Sequence, residues 1–516
     1  MCVRFLALLL CIAAPAPAAA PQSLSIKRET DRLTSNPPQS PANDRENPKE
    51  IQPKHLRKLL ELPAEQDSIS SIAATLDGGL IAYTMDRFKR RSTLGRVATL
   101  FTFDLDKLDR TDTTLKVWDR ATRQLKTTVR EETVFGFVGL YVTPDGKTVA
   151  TRDLASTPAV KLRNAETGEL RSHLAGPAKR ITESRLSADG KLFATGYEDG
   201  TARLWTVPGG ELRATLGSPP KKNGSWLKRW ANNELDDPSY SVRLYFSPDS
   251  KLLAIAGMDK NTKVWETATR EVKVWDTETG QLKFVIPGSD TLSWYWEGPD
   301  LFSPDGSIIA TTYTERNGAG HLTANSVKLW SSKDGSLLKT LEHARAPVKF
   351  TPDGKRLATG LVSWDDDGTW DFVAEIWNVE TGELERTLLD PKGGLNEILW
   401  SPDGRTLATT GGGKYTLTLW NPQSGQQKAQ IRLVRHHGFD IISDYIADQD
   451  EIFFSPDGRF LIAANAKSLR IIEVKTGTVL EKIEGIGLPI LLLSNGELLT
   501  RSANKKSAVV WEILGN

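Results

Sequence analysis

The residues with the clearest potential to bind a metal ion lie in one segment near the end of the chain. Their imidazole and carboxylate groups could ligate a divalent cation, and they are His436, His437, Asp440, Asp444, Asp448 and Asp450. Adjacent histidines are seldom both ligands, so we predict no metal site there. The run Asp365–Asp367 lacks the glycine and the distal glutamate of a calcium loop and is typical of a solvated hairpin tip.

Motifs of covalent or cofactor catalysis are missing from the sequence. It has no H-E-x-x-H pair, no C-x-x-C-H haem attachment, no Walker A loop and no G-x-S-x-G nucleophile turn. Both cysteines, Cys2 and Cys11, lie in the first twenty residues, which leaves the rest of the chain without a thiol nucleophile. We therefore predict a protein that has no catalytic residues and no cofactor.

Tryptophan is the residue type that points to recognition. Of the 15 tryptophans, six fall outside a recurring strand pattern and lie in or beside long variable segments: Trp226, Trp230, Trp294, Trp296, Trp364 and Trp370. Exposed indoles are enriched at recognition surfaces, so these six are candidate partner-binding residues. The alternative is that they pack the variable segments onto the body of the protein.

Charge limits the classes of partner. The chain has 66 Lys and Arg against 65 Asp and Glu, a formal net charge of +1, so no global field favours bulk binding of nucleic acid. Two stretches, residues 87–91 and 221–230, mix cations with aromatic residues as polyanion-binding loops do. A glycan or an anionic polymer therefore stays open as a partner beside a protein.

The beginning of the chain has the composition of a secretory signal. Arg4 precedes an apolar run from Phe5 to Ala14, and small residues follow up to Ala20. The run is too short to span a bilayer, which takes about 20 residues, and no later segment approaches that length. We predict a signal peptide over residues 1–20, export to the periplasm or the extracellular space, and a disordered linker over residues 21–50. A lipid attached to Cys11 is the alternative mode of processing.

From residue 51 onward one pattern occurs nine times: an apolar run, a turn like SPDG, a second apolar run, a variable loop, a strand like VKLWD and a turn like TETG. A proline that fixes φ, followed by Asp and Gly, marks an antiparallel hairpin between two apolar runs. The tryptophan position of the VKLWD strand is filled in order by Trp118, Arg163, Trp205, Trp265 or Trp275, Trp330, Trp377, Trp420, Ile472 and Trp511. Each unit holds four short strands, which can bury both faces only by stacking on neighbouring units.

This pattern resembles the WD40 family of β-propellers, whose repeats of about 40 to 45 residues end in a W-D pair. The best match runs from Asp199 to Trp205, and Asp259 to Trp265 repeats its spacing. The resemblance implies that a polar network pairs Asp199 with Trp205. It gives the same structural role to Trp330, Trp377, Trp420 and Trp511. The Gly-His pair that the family carries ahead of the first strand is nearly absent here.

The resemblance implies an all-β fold, with residues 51–516 forming a single propeller of eight or nine four-stranded blades. Nine is the literal count, and eight applies if one divergent unit is an excursion. The last unit stops at its third strand, near Trp511. The segment from Leu56 to Gly78 reads as an outer strand, a loop and a first strand, so we expect an N-terminal strand to complete the last blade.

The long connections predict where function lies. Four-stranded blades place alternate connections on opposite rims, and one rim receives residues 85–113, 217–239, 287–293, 314–325, 362–372 and 435–451. Loops on one face of a repeat fold commonly bind partners. We predict a non-catalytic scaffold that binds a protein through this face. The alternatives are a propeller that binds a carbohydrate or small ligand, and an enzyme that acts on an envelope polymer with Asp440 or Asp444.

Overall fold

The computed structural model describes residues 56–63, 67–88, 110–134, 139–153, 159–177, 181–197, 199–217, 242–258, 270–287, 301–316, 322–364, 370–390, 395–411, 416–433, 451–464, 468–484, 486–502 and 504–514. Within these ranges the chain forms 35 β-strands and no helix. The predicted signal peptide and linker lie outside the described residues.

The strands are β1 (Leu56–Pro63), β2 (Ser68–Ala74), β3 (Leu80–Phe88), β4 (Arg110–Asp119), β5 (Gln124–Val134), β6 (Gly139–Val142), β7 (Thr148–Arg152), β8 (Ala159–Asn164), β9 (Leu170–Ala175), β10 (Ile181–Leu186), β11 (Leu192–Tyr197), β12 (Ala202–Thr206), β13 (Leu212–Leu216), β14 (Arg243–Phe246), β15 (Leu252–Met258), β16 (Arg270–Asp276), β17 (Leu282–Ile286), β18 (Ile308–Arg316), β19 (Leu322–Ser331), β20 (Leu337–Glu342), β21 (Arg345–Phe350), β22 (Arg356–Trp364), β23 (Trp370–Asn378), β24 (Leu384–Asp390), β25 (Leu395–Trp400), β26 (Leu407–Gly411), β27 (Thr416–Trp420), β28 (Gln427–Arg432), β29 (Glu451–Phe454), β30 (Phe460–Ala464), β31 (Ser468–Glu473), β32 (Val479–Glu484), β33 (Ile486–Leu492), β34 (Leu498–Ser502) and β35 (Ser507–Ile513).

These strands form nine antiparallel sheets, which are the blades of a β-propeller. In chain order the blades are β2–β5, β6–β9, β10–β13, β14–β17, β18–β20, β21–β24, β25–β28, β29–β32 and β33–β35 with β1. We call them blades 1 to 9 and the strands of each blade a, b, c and d. In blade 5, strand a is reduced to one bridge between Phe302 and Ile309. The all-β prediction is confirmed, and the literal count of nine is the correct one.

The chain closes the ring with its two ends. Strand β1 is the outer strand of blade 9 and pairs antiparallel with β35, from Leu56 opposite Ile513 to Pro63 opposite Ser507. This pairing confirms the expected N-terminal closure and covers the edge that β35 would otherwise present to solvent.

Apolar clusters fill the seams between blades. Nine such clusters of buried side chains occur in the described part of the chain, and each takes its residues from two consecutive blades. The cluster at the closure joins Leu62 and Val510 of blade 9 to Ile72 and Tyr83 of blade 1. Because every sheet buries its two faces against its neighbours, the ring supplies the large core that a single blade lacks.

The turns between strands a and b share one hydrogen-bond pattern. In eight blades a Ser or Thr hydroxyl donates to the Asp two residues on, at 2.5–2.6 Å. The same hydroxyl accepts the amide N–H five residues on, as Ser401 Oγ does from Thr406 N at 2.9 Å. The hydrogen bond from Thr75 is the main reason why the pKa of Asp77 lies below its usual value. Ser250 replaces the usual glycine and keeps its left-handed conformation, with φ at 62°.

Candidate interaction surface

The antiparallel order of each blade separates the connections onto two rims. The a–b and c–d turns form one end, which we call the turn rim, and the b–c and d–a connections form the other, which we call the loop rim. Every turn-rim connection is short, as in residues 75–79 between β2 and β3. The long connections are all on the loop rim, and they are residues 89–109, 217–242, 259–269, 287–301 and 433–450.

Three hairpins extend the blades at the loop rim. Strands β3 and β4 pair as far as Phe88 opposite Thr111, and β18 and β19 pair as far as Arg316 opposite Leu322. In blade 6, β22 and β23 continue to the pair Trp364 and Trp370. Parts of the predicted loops 85–113, 314–325 and 362–372 are therefore strands. The β-branched and aromatic residues of these segments favour continued pairing, which the length of the insertions alone did not reveal.

The candidate partner-binding tryptophans divide into two groups. Trp364 ends β22 and Trp370 begins β23, and they are directly opposite one another in the register of blade 6. The structure thus brings these two positions together at the loop rim. Trp226, Trp230, Trp294 and Trp296 lie outside the described residues.

The candidate metal residues at positions 436–450 and 365–367 also lie outside the described residues. Among the residues that are described, no group of three or more His, Cys, Asp and Glu side chains could hold a metal ion. Of the two basic and aromatic stretches, Arg87 is described, and its Nε donates to Asp67 Oδ1 at 2.6 Å. Arg87 is therefore already paired with a carboxylate.

A cluster of charged side chains lies on strand a of blade 3 and strand a of blade 4, toward the loop rim. Glu183 of β10 is buried and accepts from Arg185 Nε at 2.9 Å, and Arg243 Nη1 of β14 lies 3.8 Å from its other oxygen. Burial raises the pKa of Glu183 and outweighs the opposing effect of the two arginines. The arginine side chains stay 53% and 45% exposed, so their remaining N–H groups can donate to an acidic group of a ligand.

A second buried carboxylate lies at the base of the extended hairpin of blade 1. Asp86 accepts from Thr113 Oγ1 at 2.9 Å, and that hydroxyl also lies 2.7 Å from Thr133 Oγ1. Burial raises the pKa of Asp86, against the opposing effect of the hydrogen bonds from Thr113 and Ser70. The hairpin is thus anchored in the ring by a compact polar group.

The structural tryptophans hold strands b and c together inside the blades. In five blades the indole N–H of strand c donates to a threonine hydroxyl of strand b, at 2.8–2.9 Å, and we call this contact the Trp–Thr pair. The pairs are Trp205 with Thr195, Trp330 with Thr311, Trp377 with Thr359, Trp420 with Thr409, and Trp511 with Thr500. Each of these threonines lies two residues beyond the strand-b residue that faces the tryptophan, so the register of strands b and c is needed to identify it.

The expected contact between Asp199 and Trp205 takes a different form. Asp199 Oδ1 accepts from the backbone N–H and the hydroxyl of Thr201, at 3.0 and 2.6 Å, so it stabilises the b–c turn. The indole of Trp205 bonds to Thr195 instead. Asp259 and Trp265 lie outside the described residues, and Trp275 of β16 fills the tryptophan position of blade 4.

Blades 1, 2, 4 and 8 lack a complete Trp–Thr pair. Blade 4 keeps Trp275, but Ile255 stands where the threonine would be, and the buried indole N–H has no hydrogen-bond partner. Blade 2 keeps Thr151, but Arg163 replaces the tryptophan and the buried Thr151 hydroxyl has no partner. In blade 8 both members are apolar, Ile472 and Ala463. In blade 1 the indole of Trp118 donates to Tyr83 Oη at 3.2 Å.

None of the described residues belongs to a helix that is long and apolar enough to cross a membrane.

Comparison with known proteins identifies the type of repeat. The family model described as WD domain, G-beta repeat matches residues 167–206 and 235–266. Protein hir1 of Schizosaccharomyces pombe is 26% identical over 289 residues, which cover 49% of this chain and 28% of that protein. The small ribosomal subunit protein RACK1y of Oryza sativa subsp. japonica is 27% identical over 137 residues, which cover 27% of this chain and 35% of that protein.

A solved structure supports the fold. The crystal structure of a eukaryotic initiation factor superposes with a TM-score of 0.51 at 15% identity and covers 78% of this chain and 91% of that one. At this identity the likeness shows the fold alone. The aligned regions span about a third or less of the length of the two curated relatives.

Proposed function

Because the chain is a nine-bladed β-propeller of the WD40-repeat family, we propose that it is a non-catalytic scaffold that binds a protein partner through its loop rim. The observation that carries this proposal is the unequal distribution of chain length between the two rims. The turn rim is built from near-identical short turns, whereas the loop rim carries every long connection and all three extended hairpins. Surplus chain on one face of a rigid ring supplies a recognition surface without disturbing the blades.

Two features of the described residues support a proteinaceous partner. The hairpin of blade 6 places Trp364 and Trp370 opposite one another, and tryptophan is over-represented among residues that dominate binding at protein interfaces. On the inner strands of blades 3 and 4, Arg185 and Arg243 offer unused donors, which suits an acidic side chain of a partner. Aromatic and arginine anchors together are characteristic of protein interfaces.

The test replaces loop-rim tryptophans and follows binding. We expect the variant with Trp226, Trp230, Trp364 and Trp370 changed to Ala to lose partners that the unaltered protein recovers by affinity capture from its native extract. A matched control changes Leu125, Leu212, Leu282 and Leu384 to Ala, since these exposed leucines lie at the start of strand d next to the turn rim. Both variants should keep the circular dichroism of the parent. Equal recovery of partners by the tryptophan variant would contradict the proposal, and a hit on a glycan array that requires the same tryptophans would replace it with carbohydrate binding.

We also propose that the protein is exported, which rests on the composition of residues 1–20 alone. Fractionation of producing cells should find the mature protein outside the cytoplasm, and N-terminal sequencing should show that these residues have been removed. A mature protein that retains Met1 or Cys2 in the cytoplasm would overturn this part of the proposal.

A further inference from the structure

The seam between blades 1 and 2 holds a buried group of charged side chains beside its apolar cluster. Glu131 of β5 points across it and forms ion pairs with Lys161 and Arg163 of β8. The three side chains are only 12%, 22% and 10% exposed, so the charges lie mostly within the ring. Thr127 reinforces the same seam through its hydroxyl, which donates to the carbonyl oxygens of Ala165 and Glu166 at 2.9 and 2.8 Å.

This seam also holds buried polar atoms that the protein does not satisfy. Thr151 Oγ1 and Arg163 Nε have no hydrogen-bond partner, and the two residues are 1% and 9% exposed. Thr151 lies opposite Lys161 in the register of β7 and β8, so the hydroxyl shares one sheet face with the ion pairs. On the blade 1 side, Thr111 Oγ1 is likewise buried without a partner, toward the loop rim. Native proteins seldom leave several buried polar atoms unsatisfied in one place, and such a group points to a bound polar species.

The loss of one indole explains why the Thr151 hydroxyl is free. In the complete blades the tryptophan fills the seam and donates to the threonine that corresponds to Thr151. Arg163 occupies that position in blade 2, but its guanidinium is directed to Glu131 and to the carbonyl of Gly168, at 3.1 Å for the latter. It therefore does not satisfy the Thr151 hydroxyl.

The polar groups of this seam that have no hydrogen-bond partner indicate the chemistry of the ligand. Both oxygens of Glu131 are engaged, Oε1 by Arg163 and Oε2 by Lys161. The groups left over are Arg163 Nε, the remaining N–H bonds of Lys161 and the Thr151 hydroxyl, all of which can donate. Asp86 lies on the same sheet face of blade 1 as Glu131, but its carboxylate is bonded to Thr113, one strand farther from Lys161 and Arg163. A ligand that accepts hydrogen bonds matches the unused donors, and the two cations among them favour an anionic acceptor.

We propose that the blade 1–blade 2 seam is a binding site for a small oxyanion, a carboxylate or a phosphate, held by Arg163, Lys161 and Thr151. The site lies in the body of the ring and needs no residue of the loop-rim surface. It is therefore independent of the proposed scaffold function, and either can fail without the other.

The test measures binding of defined anions to the full protein by calorimetry and thermal shift at constant ionic strength. Inorganic phosphate and acetate are the two anion arms, chloride is the ionic control, and glycerol is the neutral control. We expect a saturable response to at least one oxyanion and none to glycerol. A response to acetate alone assigns a carboxylate ligand, and a response to phosphate alone assigns a phosphate.

Five variants test the site, and their expected effects on binding differ in sign. Arg163→Trp should complete the Trp–Thr pair with Thr151, keep the fold and abolish binding, and Arg163→Met serves as a second variant if the indole does not fit. Thr151→Val should weaken binding at least fivefold without lowering the melting temperature. Glu131→Gln should strengthen binding at least threefold, because it frees both cations. Arg203→Met, which removes the cation of blade 3 that corresponds to Lys161, should leave binding unchanged.

The proposal is overturned if the unaltered protein shows no saturable response to either oxyanion. It is also overturned if Arg163→Trp and Arg163→Met bind as tightly as the parent, or if Glu131→Gln weakens binding, since a carboxylate that contacts the ligand directly would mean a cationic or polyhydroxyl ligand instead.

Discussion

Blades 6 and 8 fill the two positions of the Trp–Thr pair with different kinds of residue. Blade 6 keeps a polar contact in its interior, in which Trp377 donates to Thr359 at 2.9 Å. Blade 8 has Ile472 and Ala463 at the same two positions, so only hydrocarbon is buried there. Both solutions leave no unsatisfied atom at these positions, so a buried hydrogen-bonded pair and an apolar pair are interchangeable as long as both members change together.

Blades 2 and 4 show the outcome when one member changes alone. Blade 4 has the indole of Trp275 without an acceptor, and blade 2 has the hydroxyl of Thr151 without a donor. An unsatisfied buried polar group costs about 1–3 kcal/mol, so this pair of positions is expected to stabilise blades 2 and 4 less than it stabilises blade 6 or blade 8. Replacing both members of the Trp–Thr pair therefore leaves no unsatisfied atom, whereas replacing one member leaves a buried polar group whose presence calls for an explanation, such as a bound ligand.

The largest expected effect concerns a carboxylate beside the complete pair of blade 6. Glu375 is 5% exposed, and burial raises its pKa to about 7, against the opposing effect of Trp377. The folded protein therefore holds this proton more tightly than the unfolded chain. The contribution of this group to stability should be highest below pH 4.5, fall as the pH rises toward 7 and stay level above it, a total change of about 3 kcal/mol. Chemical denaturation at pH 5 and pH 8 should show that Glu375→Gln stabilises the protein at pH 8 only.

A matched control for this measurement is Glu385 in the same blade. Burial acts to raise its pKa, but hydrogen bonds from Arg356 and Asn378 outweigh that effect and lower it. Glu385→Gln should not stabilise the protein at pH 8. An equal benefit of Glu375→Gln at both pH values would show that the carboxylate is not protonated in the folded state.

The next largest effect is expected when the threonine hydroxyl of the Trp–Thr pair is removed. Thr359→Val in blade 6 leaves the indole of Trp377 unpaired and should lower the free energy of unfolding by about 1–3 kcal/mol. The same substitution at Thr151 in blade 2 removes a hydroxyl that has no protein partner and should be neutral or stabilising when no ligand is added. Urea denaturation of the two variants measures both, and a similar loss in the two blades would disprove the distinction between them.

The smallest expected effect is a repair of blade 4. Ile255→Thr gives Trp275 an acceptor but removes buried hydrocarbon, so the net change in stability should be small. A double-mutant cycle with Trp275→Phe isolates the new hydrogen bond, and we expect a favourable coupling of about 1 kcal/mol. Zero coupling would mean that the threonine hydroxyl does not reach the indole in this blade.

The repeat pattern predicts most of the fold because its signals are local. The turn residues and the tryptophan positions recur at fixed places, so the nine units, their strand order and closure by the Leu56 strand all follow from the amino-acid sequence alone. The loss of the indole at Arg163 and Ile472 is equally visible there. The sequence does not show whether that loss leaves a buried polar atom unsatisfied. The answer depends on the partner residues Thr151 and Ala463, which belong to a different strand and to a weaker pattern.

The candidate site was predictable only in its location. Long insertions placed it on one rim, since the rim of a connection follows from strand order alone. Its chemistry depends on contacts between elements far apart in the chain, such as Glu183 with Arg243, and no spacing in the sequence encodes these contacts. The extended hairpins were missed for a related reason, because pairing across β22 and β23 depends on both strands together.

The position of β1 outside β35 has a consequence for how the protein assembles. The first strand of the ring to leave the ribosome finds its partner only after the last strand has been made, so the circle cannot lock before synthesis of the domain is complete. Pairing of segments this distant in the chain is entropically costly and slow. Blade 9 is therefore expected to form last, and its formation closes the ring. Once locked, the ring resists a single cut at a loop, because both fragments remain held by neighbours on either side.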